Sequence, residues 1–202
     1  MRLTRLTIQN YKSLRNVEIS PRDFSVLIGR NSSEKSNFAD ALEFLSIAYA
    51  DGLEHPVARK GGYENIAHRK ERRSRSAIGF SVELKTEIYD WEMSSPVSRP
   101  NRPGQDKLST WVFRHNFELK ASGEGIRSDF RITSEKLDII KESVTSGTHV
   151  ASNVYQWINI ERNEKGKINV TGDIHSPLAK AVLWDARGQA TVSMRTKTMV
   201  YP

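Results

Sequence analysis

The 202-residue chain contains no cysteine. That excludes disulfides, thiolate nucleophiles and cysteine-ligated metals, and it fits a cytoplasmic protein. No apolar run approaches the roughly 18 residues that a membrane-crossing helix needs, and the opening Met1-Arg2-Leu3-Thr4-Arg5-Leu6 lacks the apolar stretch of a secretory signal. The expectation is a protein with no membrane partner. The histidines (His55, His68, His115, His149 and His175) are scattered without the paired spacing of a zinc site. Neither Gly-x-Ser-x-Gly nor His-Glu-x-x-His occurs, so the hydrolase and metalloprotease signatures are missing. The chain also shows no internal repeat. Its four tryptophans, Trp91, Trp111, Trp157 and Trp184, stand mostly in strand-like text, which assigns them to core packing before base stacking.

What the chain has in excess is positive charge. Thirty-one Lys and Arg against 24 Asp and Glu leave a formal net charge of +7, which favours anionic partners such as DNA. The densest basic run is His68, Arg69, Lys70, Arg72, Arg73 and Arg75, just after the Gly61-Gly62 turn. Arg69, Lys70, Arg72, Arg73 and Arg75 are the nucleic-acid candidates, since each neutralised phosphate adds salt-dependent affinity. A solvated charged loop is the competing reading of the same run.

The chain is organised around residues 24–45. Phe24, Val26, Leu27 and Ile28 form a short apolar run that predicts a buried strand. Gly29 ends it. From Lys35-Ser36 onward, Phe38, Ala41, Leu42, Leu45 and Ala48 recur at the spacing of one helix face, and Gly52 and Pro56 predict its end. Between strand and helix stands Gly29-Arg30-Asn31-Ser32-Ser33-Glu34-Lys35-Ser36. It matches the phosphate-loop pattern G-x-x-x-x-G-K-[ST] at Gly29, Lys35 and Ser36. In such a loop, backbone N–H groups and the helix N-terminus cradle phosphate oxygens. Lys35 would reach the β- and γ-phosphates, and the Ser36 hydroxyl would ligate Mg²⁺.

Glu34 stands where the pattern has its second glycine. Two like charges about 4 Å apart repel by about 4 kcal/mol at an effective dielectric of about 20, roughly three decades of affinity. A carboxylate turned into water is screened and loses most of that effect. The substitution therefore leaves two readings, a weakened or dead site and a live one with Glu34 facing solvent.

Residues 1–45 resemble the N-terminal start of an ABC-type ATPase head of the RecF/SMC/OLD-like group of AAA-family ATPases. That group opens with a strand, an N-[FY]-K-S-[LF] segment, a second strand and a G-x-N-G-S-G-K-S-N loop. Here these are Leu3–Ile8, Asn10-Tyr11-Lys12-Ser13-Leu14, Val17–Ile19, and a loop that keeps Gly29, Asn31, Ser33, Lys35, Ser36 and Asn37. Ser32 and Glu34 depart from it. The resemblance implies ATP with Mg²⁺ as ligand, bound by those loop residues. It also makes Lys12 and Ser13 candidates to line the nucleotide pocket, against a solvated turn as the alternative. Such heads hydrolyse ATP only when two of them sandwich it, so a second ATPase head or a missing C-terminal lobe is the implied protein partner. No L-S-G-G-Q-like signature occurs. Ala181–Asp185 resembles a Walker B strand, but Ala186 follows where a glutamate is needed. Gln105 and Gln156 are the conceivable Q-loop residues. No catalytic residue is assigned, and whether the chain is an enzyme stays open.

Beyond residue 76 the text is strand-rich. Ile78, Phe80, Val82 and Leu84 alternate as a half-buried strand, residues 110–120 and 126–133 read as an antiparallel hairpin around Gly123–Gly125, and residues 154–162 and 167–171 as a second around Gly166. Residues 134–141 read as strand or short helix, and the resemblance implies strand. Residues 93–107, with three prolines, predict a loop. The expected fold is α+β, a P-loop NTPase resembling the first lobe of an ABC-type head. A mixed sheet surrounds the phosphate-loop helix and an antiparallel sheet follows. The expected division is 1–75, 76–172 and an uncertain 173–202, which reads as possibly truncated. The expected function is an ATP-binding lobe linked to DNA repair or defence against foreign DNA and a poor ATPase alone. The alternative is a non-catalytic module that binds DNA or a partner protein.

Overall fold

Seven strands build one sheet in a computed structural model that describes residues 1–29, 34–68, 76–89, 108–122, 129–143 and 153–172. The strands are β1 (Arg2–Tyr11), β2 (Leu14–Ile19), β3 (Ile78–Tyr89), β4 (Leu108–Ser122), β5 (Asp129–Ser143), β6 (Asn153–Asn163) and β7 (Ile168–Gly172). Their order is β2-β1-β3-β4-β5-β6-β7, and every neighbouring pair is antiparallel. The expected mixed sheet is therefore corrected. The N-terminal hairpin joins the same antiparallel sheet through β1 and β3, with Leu6 opposite Val82 and Ile8 opposite Phe80.

Alternation along the strands sets which side chains face the helices. Leu6 and Ile8 of β1, Ile78, Phe80 and Val82 of β3, and Phe117 and Leu119 of β4 share one buried face. Over it lies α1 (Lys35–Asp51), followed by α2 (Glu54–Arg59) and α3 (Tyr63–Ile66). α1 buries Ala41, Leu45 and Ala48, as its spacing predicts, and also Phe44, which the predicted face did not include, while Leu42 stays exposed and Phe38 is only partly covered. Phe44 stacks on Phe80 with ring centroids 5.5 Å apart, and Tyr11 meets both rings edge-on. A buried aromatic of this kind contributes about 2–3 kcal/mol by burial alone. Further along the same face, Trp111, Ile139, Ile158 and Ile160 form a second apolar cluster.

α1 ends where glycine permits it. Gly52 has φ 87, and its N–H donates to the Ala48 carbonyl at 3.0 Å. Pro56 does not merely terminate. It sits in the first turn of α2, where a missing N–H costs nothing. Gly61 and Gly62 turn the chain toward α3 with φ 83 and 98, as expected for that pair. The Tyr63 hydroxyl then pins α3 by donating to the carbonyls of Ser76 and Leu119.

The strand expected at Phe24–Ile28 does not form. Residues 20–22 and 25–29 have no regular structure, and Phe24, Val26, Leu27 and Ile28 are 83%, 66%, 55% and 86% exposed. A strand needs a pairing partner to satisfy its backbone groups. β1 is already paired on both sides, by β2 and β3, and the run does not add to the outer edge of β2, the strand at the end of the sheet. The Gly123–Gly125 turn, the 93–107 loop and the Ala181–Asp185 segment lie outside the described residues.

Candidate phosphate site

α1 begins at Lys35, so that the last two residues of the phosphate-loop text, Lys35 and Ser36, are its first, with Glu34 as the residue that opens it. Glu34 has φ −62 and ψ 9, a right-handed conformation that any residue adopts, so nothing in its backbone requires the glycine of the motif. Its side chain is exposed and makes no capping bond. No acidic residue stands in the first turn of the helix. The helix therefore opens with backbone donors and the positive end of its dipole, and among the described residues Glu34 does not cap it.

Of the sequence-predicted residues, Lys35 Nζ donates to the Gly29 carbonyl, which brings the two ends of the loop together. Ser36 is exposed at the same helix end. Asn37 Nδ2 donates to Ser13 Oγ at 2.7 Å. That bond places the β1–β2 turn, with Lys12 and Ser13, against the first turn of α1. Asn31 and Ser33 lie outside the described residues, as do Arg69, Lys70, Arg72, Arg73 and Arg75, Gln105, and Trp91 and Trp184. The side chains of Gln156 and Trp157 also lie outside them. Trp111 is buried in the sheet face, consistent with packing.

Asp40, one turn beyond Ser36, was not singled out by the sequence. It accepts from the Tyr11 hydroxyl at 2.7 Å and from Lys60, and Lys12 Nζ lies 2.6 Å from it. Lys60 also reaches Glu43, whose other oxygen lies 3.3 Å from Arg59 Nη2. Burial pushes the Asp40 carboxyl up, but the bonds from Lys12, Lys60 and Tyr11 outweigh it and hold the pKa down at about 2. Burial and the hydrogen bond to Asp40 push the Tyr11 phenol well above its usual range. The one advance signal was Asp40 at four residues from Ser36, on the same helix stripe.

A second polar chain ties the other end of α1 to the sheet. The Tyr49 hydroxyl lies 3.0 Å from His115 Nδ1, and His115 Nε2 lies 3.1 Å from Glu135 Oε1. Glu135 Oε2 lies 2.6 Å from Arg162 Nη2. His115, Glu135 and Arg162 are all buried. These three occupy inward positions on β4, β5 and β6, paired in register with Val82, Phe117 and Glu135 respectively. Polar residues at apolar parity were the legible signal for this network.

A family model described as AAA ATPase domain matches residues 1–167. No curated protein matches the chain.

Proposed function

Because the chain belongs to the AAA ATPase domain family, and so carries an ATPase-type nucleotide-binding module, we propose that it binds ATP with Mg²⁺ at the N-terminus of α1. The observation that carries this reading is a helix that opens with Lys35-Ser36, has no acidic residue in its first turn, and leaves Glu34 exposed and making no capping bond. The residues there fit the ligand: an ammonium, an exposed hydroxyl and the helix dipole are complementary to phosphate oxygens and their metal. Gly29, Asn31, Ser33, Lys35 and Asn37 would hold the phosphates, Ser36 the metal, and Lys12 and Ser13 would flank them. Bound Mg²⁺ would neutralise charge on the phosphates.

The same reading makes the chain a RecF/SMC-like lobe that acts in DNA repair or in defence against foreign DNA. It works with a second head or C-terminal lobe and hydrolyses ATP poorly alone. The resemblance of Asn10–Leu14 and of the loop to that group supports it, as does the +7 charge. The pseudo-ATPase alternative rests on Glu34, and an outward Glu34 favours a live site over it.

Calorimetry with Mg·ATP on the full chain beside Lys35→Ala tests the reading. Saturable binding that is lost in the variant supports it. Equal affinities, or no binding by either, would overturn it.

A further inference from the structure

We propose that Asp40 is a positioning residue of the phosphate site: it holds Lys12 beside the first turns of α1, so that the ammonium acts on a phosphate bound at that helix end. The proposal rests on the nucleotide-binding reading above and adds to it a residue outside the loop.

Three observations converge. The first is placement. Ser36 and Asp40 are four apart on α1, hence neighbours on one face, and Lys12 Nζ lies 2.6 Å from the Asp40 carboxylate. Asn37 holds Ser13 from the same turn. The β1–β2 turn therefore runs along the helix end that offers its N–H groups.

The second is backbone geometry. Asn10 and Lys12 both have positive φ, 56 and 49, in a region that side chains other than glycine disfavour. The surroundings over-determine this shape. The Lys12 N–H donates to the Ile66 carbonyl at 2.7 Å, and the Lys12 carbonyl accepts from His68 Nδ1 at 2.7 Å. The His68 N–H donates to the Asn10 carbonyl, and Asn10 Nδ2 to that of Ala77. With its backbone pinned, Lys12 has only its side chain free to wander, and Asp40 is the group that fixes it. Strain retained under this many restraints marks a turn whose direction matters.

The third is charge. Asp40 and Glu43 face Lys12, Lys60 and Arg59. Lys60 touches both carboxylates and Arg59 reaches Glu43, so the pair is neutralised without Lys12. Among the described residues the cluster holds three cations against two carboxylates, and Lys12 is the cation on the β1–β2 turn. An anion at α1 completes the balance.

The test is Mg·ATP calorimetry on the full chain at several salt concentrations, with thermal melts as a folding control. The variants are Asp40→Asn, Lys12→Ala, their combination, and Asp40→Glu. Asp40→Asn and Lys12→Ala are each expected to weaken binding about tenfold. The combination should be no weaker than Lys12→Ala alone, because Asp40 acts through Lys12. The salt dependence of the affinity should flatten in Asp40→Asn, as when one phosphate contact is lost, and Asp40→Glu should recover most of the affinity. Wild-type affinity in Asp40→Asn, losses that multiply in the double variant, or an unchanged salt dependence would each overturn the proposal. If Asp40→Asn does not fold, Lys12→Met, which keeps the apolar stem, decides: a tenfold loss with flattened salt dependence supports the proposal, and unchanged binding ends it. A wild type that binds no better than Lys35→Ala overturns the nucleotide reading and this proposal together. Wild-type binding with no effect at Asp40 overturns the positioning role alone.

Discussion

The two ends of α1 are both fastened by polar networks, and the networks are opposites. At the N-terminal half, Asp40 gathers Tyr11, Lys12 and Lys60 at a partly exposed surface with cations in excess. At the C-terminal end, Tyr49, His115, Glu135 and Arg162 form a closed buried chain across three strands. In the closed chain Tyr49, His115, Glu135 and Arg162 each lie against a neighbour of the chain in the protein interior, although Arg162 Nε has no hydrogen-bond partner among the described residues. The open hub, among the described residues, carries one cation more than its carboxylates. The contrast separates what fixes the helix to the sheet from what the helix offers to an anion.

The largest effect should come from breaking the closed chain. Glu135→Ala leaves the Arg162 guanidinium buried without its carboxylate, a change that costs about 3–5 kcal/mol. Urea denaturation measures it. Replacing both partners by apolar residues, Glu135→Leu with Arg162→Met, should recover most of the loss, because no orphaned charge remains. A pair that proves additive would place the energy elsewhere.

Next in size is the open end. Lys35→Ala should weaken Mg·ATP by about one to two decades, the range for a charge-assisted hydrogen bond of about 1.5–3 kcal/mol. It should leave the urea midpoint almost unchanged. A variant that lost stability and affinity together would blur the separation of the two ends.

Asp40 gives a smaller effect with a defined pH window. Its folded pKa, about 2, lies below the ordinary 3.8. The stability it adds is therefore present above about pH 4 and is lost as pH falls through about 2. After solvent screening this amounts to about 1 kcal/mol. Asp40→Asn should flatten the acid limb of a stability–pH curve between those values. An unchanged limb would show that the hub contributes no net stability.

The smallest effect is expected at Ile28. Its side chain is 86% exposed, so Ile28→Ser should shift stability by no more than about 0.5 kcal/mol. A loss of several kcal/mol in a thermal melt would mean that the apolar run 24–28 is buried after all, as its sequence suggested.

That last case shows where the sequence was legible and where it was not. Strand β3 can be read from alternation, because its core-facing residues are apolar and those between them are polar, while the 134–141 part of β5 reads as strand or short helix and only the resemblance favours strand. Ile78, Phe80, Val82 and Leu84 show the pattern and pair as it implies. α1 and its Gly52 end followed from apolar spacing and glycine chemistry. The run at 24–28 reads as a buried strand because periodicity reports a tendency to be buried and cannot report whether a segment pairs; this one stays exposed and does not join the edge strand β2. α2 was missed because Pro56 was taken as a stop when it stands in a first turn. Lys35, Ser36, Asn37, Lys12 and Ser13 stand out as candidates from motif text. Asp40 was not, since its partners Tyr11, Lys12 and Lys60 come from segments far apart in the chain and only the fold brings them together.

The measurement that bears most directly on the account is Mg·ATP calorimetry on the wild-type chain beside Glu34→Gly. With Glu34 exposed at φ −62, the account predicts that both bind with affinities within a few-fold of each other. Binding by the glycine variant alone would contradict it, showing that the glutamate closes the phosphate site.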